Sequence, residues 1–131
     1  MNALTVYRCF CDSTRLRILN LLLEGPLCVC HLAAVLDLPQ PKISRHLKAL
    51  KDAGAVETER SYNWTICRIS ANPNRVLEVN LQCLQDLRGE NPVFRKDLER
   101  RKQTLERIST ADCGGMPSQI RDTRPSAGAK C

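Results

Sequence analysis

The chain has 131 residues, enough for one compact domain with extensions and too few for two domains of ordinary size. Lys and Arg outnumber Asp and Glu by 20 to 14, a net charge of +6 that favours a polyanionic partner but suits a merely basic surface equally well. No apolar run approaches the roughly 20 residues a spanning helix needs, and the opening MNALTVYRCF does not read as a signal peptide, so the expectation is a cytoplasmic protein with no membrane partner.

In chain order, residues 4–11 read as a short apolar helix. DSTRLRILNLLLEGP follows as a helix capped by Asp12 or Ser13, burying Leu16, Leu19, Leu22 and Leu23, and stopped by Gly25 and Pro26. A short helix from about Cys28 to Leu36 turns Leu32, Val35 and Leu36 inward. After DLPQ, the helix PKISRHLKALKDAG opens on Pro41, where a missing N–H matters little, and ends at Gly54. At about 100° per residue, Ile43, Leu47 and Leu50 share one face while Ser44, Arg45 and Lys48 lie opposite.

AVETERSYNWTICRIS alternates as two strands around a polar connection near Arg60 to Asn63, a β-hairpin without the usual Asn-Gly turn. Beyond Pro73 a helix runs to about Arg88, and GENP interrupts it. Asn91 and Pro92 then open a further helix whose stripe of Val93, Phe94, Leu98, Leu105 and Ile108 suits either a dimer surface or packing within one subunit. Residues 1–110 are thus expected as the folded unit, and 111–131, rich in Gly, Pro, Ser and charge, as a disordered tail.

The pattern is mainly α with a β-hairpin: a winged helix-turn-helix, in which the second helix of the pair enters the major groove and the hairpin flanks it. Gln40, Lys42, Ser44, Arg45, His46 and Lys48 are the candidate DNA contacts on that helix, with Arg60 and Tyr62 in the wing. Trp64 is expected at the base of the wing. A phosphate-binding Gly-rich loop, a Glu-bearing zinc helix and a Cys-x-x-Cys motif do not appear in the sequence, so an enzyme is not expected. A winged helix used only for protein contacts is a further reading; it predicts no operator binding.

Eight cysteines in a reducing compartment point to metal or redox chemistry rather than a disulfide framework. Cys28 and Cys30 stand out. Positions i and i+2 of a helix point about 200° apart, which disfavours both a shared core face and a disulfide between them. Packing of one of them and soft-metal ligation by both stay open, and a helix N-terminus favours thiolate.

DSTRLRILNLL, LCVCHL, LPQPKISRHLKALKDAG and NWTICRIS together resemble the ArsR/SmtB family of dimeric winged-helix repressors, in its arsenical-responsive branch, over about residues 4–70. The resemblance implies a homodimer, built from the first and last helices, that holds a palindromic operator in double-stranded DNA until an inducer binds. It makes Cys28 and Cys30 ligands of that inducer: As(III), Sb(III) or methylarsenite, with no permanent cofactor. Joining the two sulfurs would then unwind the start of the helix behind the DNA reader.

The family often carries a third cysteine three residues after the pair, where this chain has Ala33. Cys9, Cys11 and Cys113 are candidates to replace it, whereas a monomethylated arsenical needs two sulfurs only. His31 is expected at the surface, Cys67 and Cys83 in packing, and Cys131 without a partner. A zinc site on the last helix has little support, because the only histidines are His31 and His46. Thiol-redox sensing and Cd/Pb sensing on the same fold are the alternatives.

Overall fold

The computed structural model describes residues 3–111, with side chains through Arg107. Cys113, Cys131 and the expected tail beyond Ala111 lie outside the described residues, as does the side chain of Ile108. Six helices and three short strands follow in the order α1 (Ala3–Phe10), α2 (Ser13–Leu23), β1 (Leu27–Cys28), α3 (Val29–Leu36), α4 (Gln40–Asp52), β2 (Val56–Ser61), β3 (Trp64–Ile69), α5 (Arg75–Leu87) and α6 (Pro92–Ala111).

The expected punctuation operates. Asp12 caps α2 by accepting from the Arg15 N–H at 3.1 Å. Gly25 and Gly54 take positive φ, 145° and 79°, where the chain leaves α2 and α4. Asp37 ends α3 in the left-handed region. α4 starts one residue ahead of Pro41, at Gln40.

The hairpin is tighter than the sequence pattern implies. Ser61 pairs with Trp64, so Tyr62 and Asn63 alone make the turn, and Tyr62 adopts φ 56°. A third strand joins it: β1 pairs antiparallel with β3, with Leu27 opposite Cys67 and Cys28 opposite Ile66, giving the order β1-β3-β2. This corrects the helical reading of Cys28. A two-residue strand is too short to show alternation, and its extended conformation is set by the ladder with β3.

The core is built by α2, α3 and α4 against the sheet, with Leu19, Leu32, Ile43, Leu50 and Ile66 all inaccessible. Leu16 and Leu23 lie at its margin. Cys67 is buried as expected, but Cys83 is exposed.

The last helix takes up one of the two readings its stripe allows. α6 lies along α2 and α3 of its own chain. Its Phe94 and Leu105 are buried in that core and Leu98 packs against it, while Val93 at its start is exposed, so three of the four described stripe residues pack within the subunit. Polar contacts hold it there. Arg17 grips the buried Asp97 with two bonds of 2.8 and 2.9 Å, Asn20 donates to the Phe94 carbonyl at 3.3 Å, and Arg100 reaches the Ala34 carbonyl at 3.3 Å. Other exposed apolar side chains lie on α1, at Leu4 and Tyr7, and on α5, at Val79 and Leu87.

Candidate functional site

Cys28 is the extended residue that caps α3, with φ −74° and ψ 153°. Its sulfur stands where a Ser or Thr hydroxyl would sit in a capping box: it accepts from the His31 N–H, and the His31 Nδ1 accepts the Cys28 N–H at 3.4 Å. Cys30, in the first turn, brings its Sγ to 3.2 Å from that of Cys28. The expectation that the helix must unwind before the sulfurs can meet is therefore corrected. The 200° divergence holds between two helical residues, and Cys28 is not one of them.

The Cys30 thiol donates to the Cys28 sulfur. This contact outweighs burial and, aided by the N–H groups of Cys30, Thr65 and His31, lowers the Cys28 pKa from 9.0 to about 6. Cys28 is thus held as a thiolate at the positive end of α3. The same contact, with burial, pushes the Cys30 thiol far up. Cys28 is buried and Cys30 exposed, so the pair presents one fixed and one accessible sulfur.

His31 is buried at 1% exposure, which corrects its expected place at the surface. Its ring tilts against Trp64 at a centroid separation of 5.4 Å. Burial, then the positive Arg101 of α6, lowers its pKa to about 4, so the ring is neutral near pH 7. With Nδ1 accepting, the proton belongs on Nε2, which has no partner in the structure. The third position of a capping box is readable in a sequence, but only once Cys28 is recognised as the cap.

The pair opens into a cavity of about 440 Å³. Val29 and the two cysteines form its floor, Gln40 and Ser44 of α4 one wall, and Asn63, Trp64 and Thr65 of the hairpin the other. The two thiols therefore look into the cleft between the helix and the wing that are the candidate DNA-binding elements.

The predicted third ligands are not gathered at the pair. Buried Cys9 donates to the Ala49 carbonyl of α4 at 3.6 Å, Cys11 is exposed at the end of α1, and Cys113 is outside the described residues. Among the described residues, no group of three or more His, Cys, Asp or Glu side chains is assembled for a metal.

On α4, Gln40, Lys42, Ser44, Arg45 and Lys48 are all exposed, while Ile43, Leu47 and Leu50 anchor the opposite face. Lys48 pairs with Asp52 one turn on, at 3.1 Å. His46 is drawn away from the free face: its Nδ1 accepts from the Arg15 Nε of α2 at 3.3 Å. Arg15 thereby joins the site, unnoticed in the sequence because it lies 31 residues from its partner. In the wing, Arg60 is exposed and Tyr62, 94% exposed, stands at the tip.

A short helix pair whose second member presents a basic, unburied face, flanked by a β-wing, defines a winged helix-turn-helix DNA-binding protein. Comparison with known proteins agrees and narrows the class. Residues 12–58 match the family described as bacterial regulatory protein, arsR family. The arsenic resistance transcriptional regulator ArsR1 of Pseudomonas putida is 38% identical over 86 residues, 65% of this chain and 67% of its own length. ArsR2 of the same organism is 34% identical over 103 residues, 73% of this chain and 88% of its own. The solution structure of the homodimeric winged helix-turn-helix domain of Mb0332 from Mycobacterium bovis superposes with a TM-score of 0.56 at 26% identity, covering 68% of this chain and 80% of that one. The chain belongs to the ArsR family of transcriptional regulators, which are not enzymes. Among the described residues, no helix is long and apolar enough to cross a membrane.

Proposed function

We propose that this chain is a repressor that holds operator DNA as a homodimer and releases it when a trivalent arsenical or antimonial is bonded by Cys28 and Cys30. The observation that carries this reading is the sulfur pair, 3.2 Å apart at the floor of a cleft bounded by α4 and the wing. Two thiolate bonds of roughly 2.3 Å, as to zinc, span roughly 3.3 Å when they meet near a right angle, as at a pyramidal trivalent centre, and roughly 3.8 Å at a tetrahedral one. The pair is spaced for the first. A disulfide would need its sulfurs drawn to about 2.05 Å.

On DNA, Gln40 and Arg45 carry the groups suited to base edges, and Lys42, Ser44 and Lys48 those suited to phosphate. Arg60 and Tyr62 reach outward from the wing. His46 holds α4 against Arg15 and acts through position rather than contact. The second copy is assigned to the exposed apolar side chains of α1 and α5, where Phe10, Leu16, Leu84 and Leu87 also line a cavity of about 530 Å³. The names of the arsenic resistance relatives and the homodimeric neighbour support this reading.

Its test is titration of fluorescently labelled DNA from upstream of the gene with protein, then with arsenite, antimonite, methylarsenite, cadmium or peroxide. Wild type is expected to release DNA with the trivalent species, and Cys28→Ser and Cys30→Ser to stay bound. Full release from both variants defeats the proposal, and release by peroxide or cadmium alone moves the pair to oxidant or soft-metal sensing.

A further inference from the structure

We infer that the cleft in front of the sulfur pair is a seat for the carbon substituent of an organoarsenical, so that the site prefers R–As(III), with R an alkyl or aryl group, to inorganic arsenite. The inference rests on the arsenical reading of Cys28 and Cys30 and specifies its ligand.

The argument begins with valence. A trivalent arsenic bonded to two sulfurs carries one more substituent, and the floor of the cleft determines where it goes. Cys28 is fixed by its cap and by the β1 ladder, and Cys30 by the first turn of α3. An atom bonded to both, reached from the accessible Cys30 side, projects its third substituent into the cavity above them. That space is about 440 Å³, within the roughly 300–1,000 Å³ typical of small-molecule pockets and far beyond the roughly 30 Å³ share of one water. Its walls are uncharged: Trp64, Asn63 and Thr65 on one side, Gln40 and Ser44 on the other. Trp64, half-buried and braced by His31, offers a rigid aromatic surface on one wall.

The bonding step balances without an external oxidant or reductant. R–As(OH)₂ exchanges both As–O bonds for As–S bonds to Cys28 and Cys30. The two hydroxides leave as two waters, taking one proton from Cys30 and one from Cys28 or from the solvent that received it. Arsenic stays trivalent. The retained As–C bond carries R into the cleft, where it touches the recognition helix and the wing together.

Arsenite, methylarsenite and phenylarsine oxide can each be titrated into the full-length reduced protein with dithiothreitol as competing dithiol, which cancels the intrinsic preference of any dithiol for organoarsenicals. Intact mass fixes the adduct as one R–As per chain with two hydrogens lost. Quenching of Trp64, the only tryptophan, reports occupancy, and operator release is followed in parallel. The expected result is affinity relative to dithiothreitol rising at least tenfold from arsenite to the phenyl compound. Trp64→Ala should flatten the gradient, read by mass. Ser44→Leu, a substitution at an exposed helical position that narrows the cleft, should lower phenyl binding more than methyl binding, and it serves where Trp64→Ala does not fold. A gradient absent in wild type, or unchanged in both variants, overturns the inference. Operator release by arsenite and phenylarsine oxide at equal relative affinity leaves the repressor reading intact while removing this one. Adducts that form with the expected gradient but never release DNA do the reverse.

Discussion

Removing Cys30 should change the acidity of Cys28 far more than its rate of reaction at neutral pH. In the intact pair Cys28 titrates at about 6 instead of 9.0, chiefly because the Cys30 thiol donates to it at 3.2 Å. Cys30→Ala deletes that donor at an exposed position, leaving burial opposed only by the backbone N–H groups of residues 30, 31 and 65, so Cys28 moves back toward an ordinary thiol. Three pH units of acidity correspond at pH 7 to a thiolate fraction of roughly nine tenths against roughly one hundredth. Nucleophilicity falls as acidity rises, with a Brønsted slope of about 0.4–0.5, which takes back a factor of roughly 20 and leaves the wild type only about four- to fivefold faster. A single-pH rate therefore discriminates poorly, whereas the midpoint of the pH–rate profile discriminates well. The assay is alkylation by iodoacetamide from pH 4 to 10, with Cys28 modification counted by peptide mass. Wild type should show its midpoint near 6, and Cys30→Ala a midpoint moved well up toward the ordinary thiol value of 9.0. A wild-type midpoint near 9, or one that stays put without Cys30, refutes the coupling and with it the preset geometry of the pair.

Asp97→Ala leaves the half-buried Arg17 without its partner and should destabilise the fold by about 3 kcal/mol, a fall in Tm of roughly 10–20 °C; a change of a degree or two would mean that α6 is not part of the core. Arg45→Ala should weaken operator binding by about 1–3 kcal/mol and relax sequence preference, while Lys42→Ala should weaken it evenly across sequences and lower the salt slope by about one. His31→Ala removes the acceptor of the Cys28 N–H and the brace of Trp64. Amide exchange in the first turn of α3 should accelerate and the Trp64 emission shift to the red, and unchanged values of both would separate His31 from the cap.

Local chemistry was legible in the sequence wherever a signal is carried by neighbours in the chain. Asp12, Gly25 and Gly54 marked the helix ends, and the division of α4 into an apolar and a basic face is what the structure contains. What was not legible depends on partners far along the chain. β1 is extended because β3, some forty residues on, supplies its ladder, and two residues carry no periodicity of their own. His31 is buried because α6 and Trp64 close over it. The stripe of α6 had the spacing of a packing face, but periodicity does not say which chain it packs against. The buried Asp97, 80 residues from Arg17, does. The i, i+2 spacing of the two cysteines separates their side chains only where one helix holds both, and Cys28 is the extended residue that caps α3.

A pair that is already assembled also changes how release must work. If the sulfurs meet equally well with and without DNA, closing a ring on them shifts nothing, because a ligand moves an equilibrium only by its difference in affinity between the two states. On the proposed reading the difference arises in the cleft lined by Gln40, Ser44 and Trp64, where bound DNA would fix the spacing of α4 and the wing. Linkage makes this measurable from either side: whatever factor the arsenical takes from operator affinity, operator must take from arsenical affinity. Taking the operator from about 99% bound to about 1% requires a factor of roughly 10⁴. The competition titration, repeated with saturating operator DNA, should show arsenical binding weakened by the same factor that gel-shift titration gives for DNA. Equal affinity with and without DNA, alongside genuine release, would mean that adducts at other thiols unfold the reader, and would remove the cleft from the mechanism.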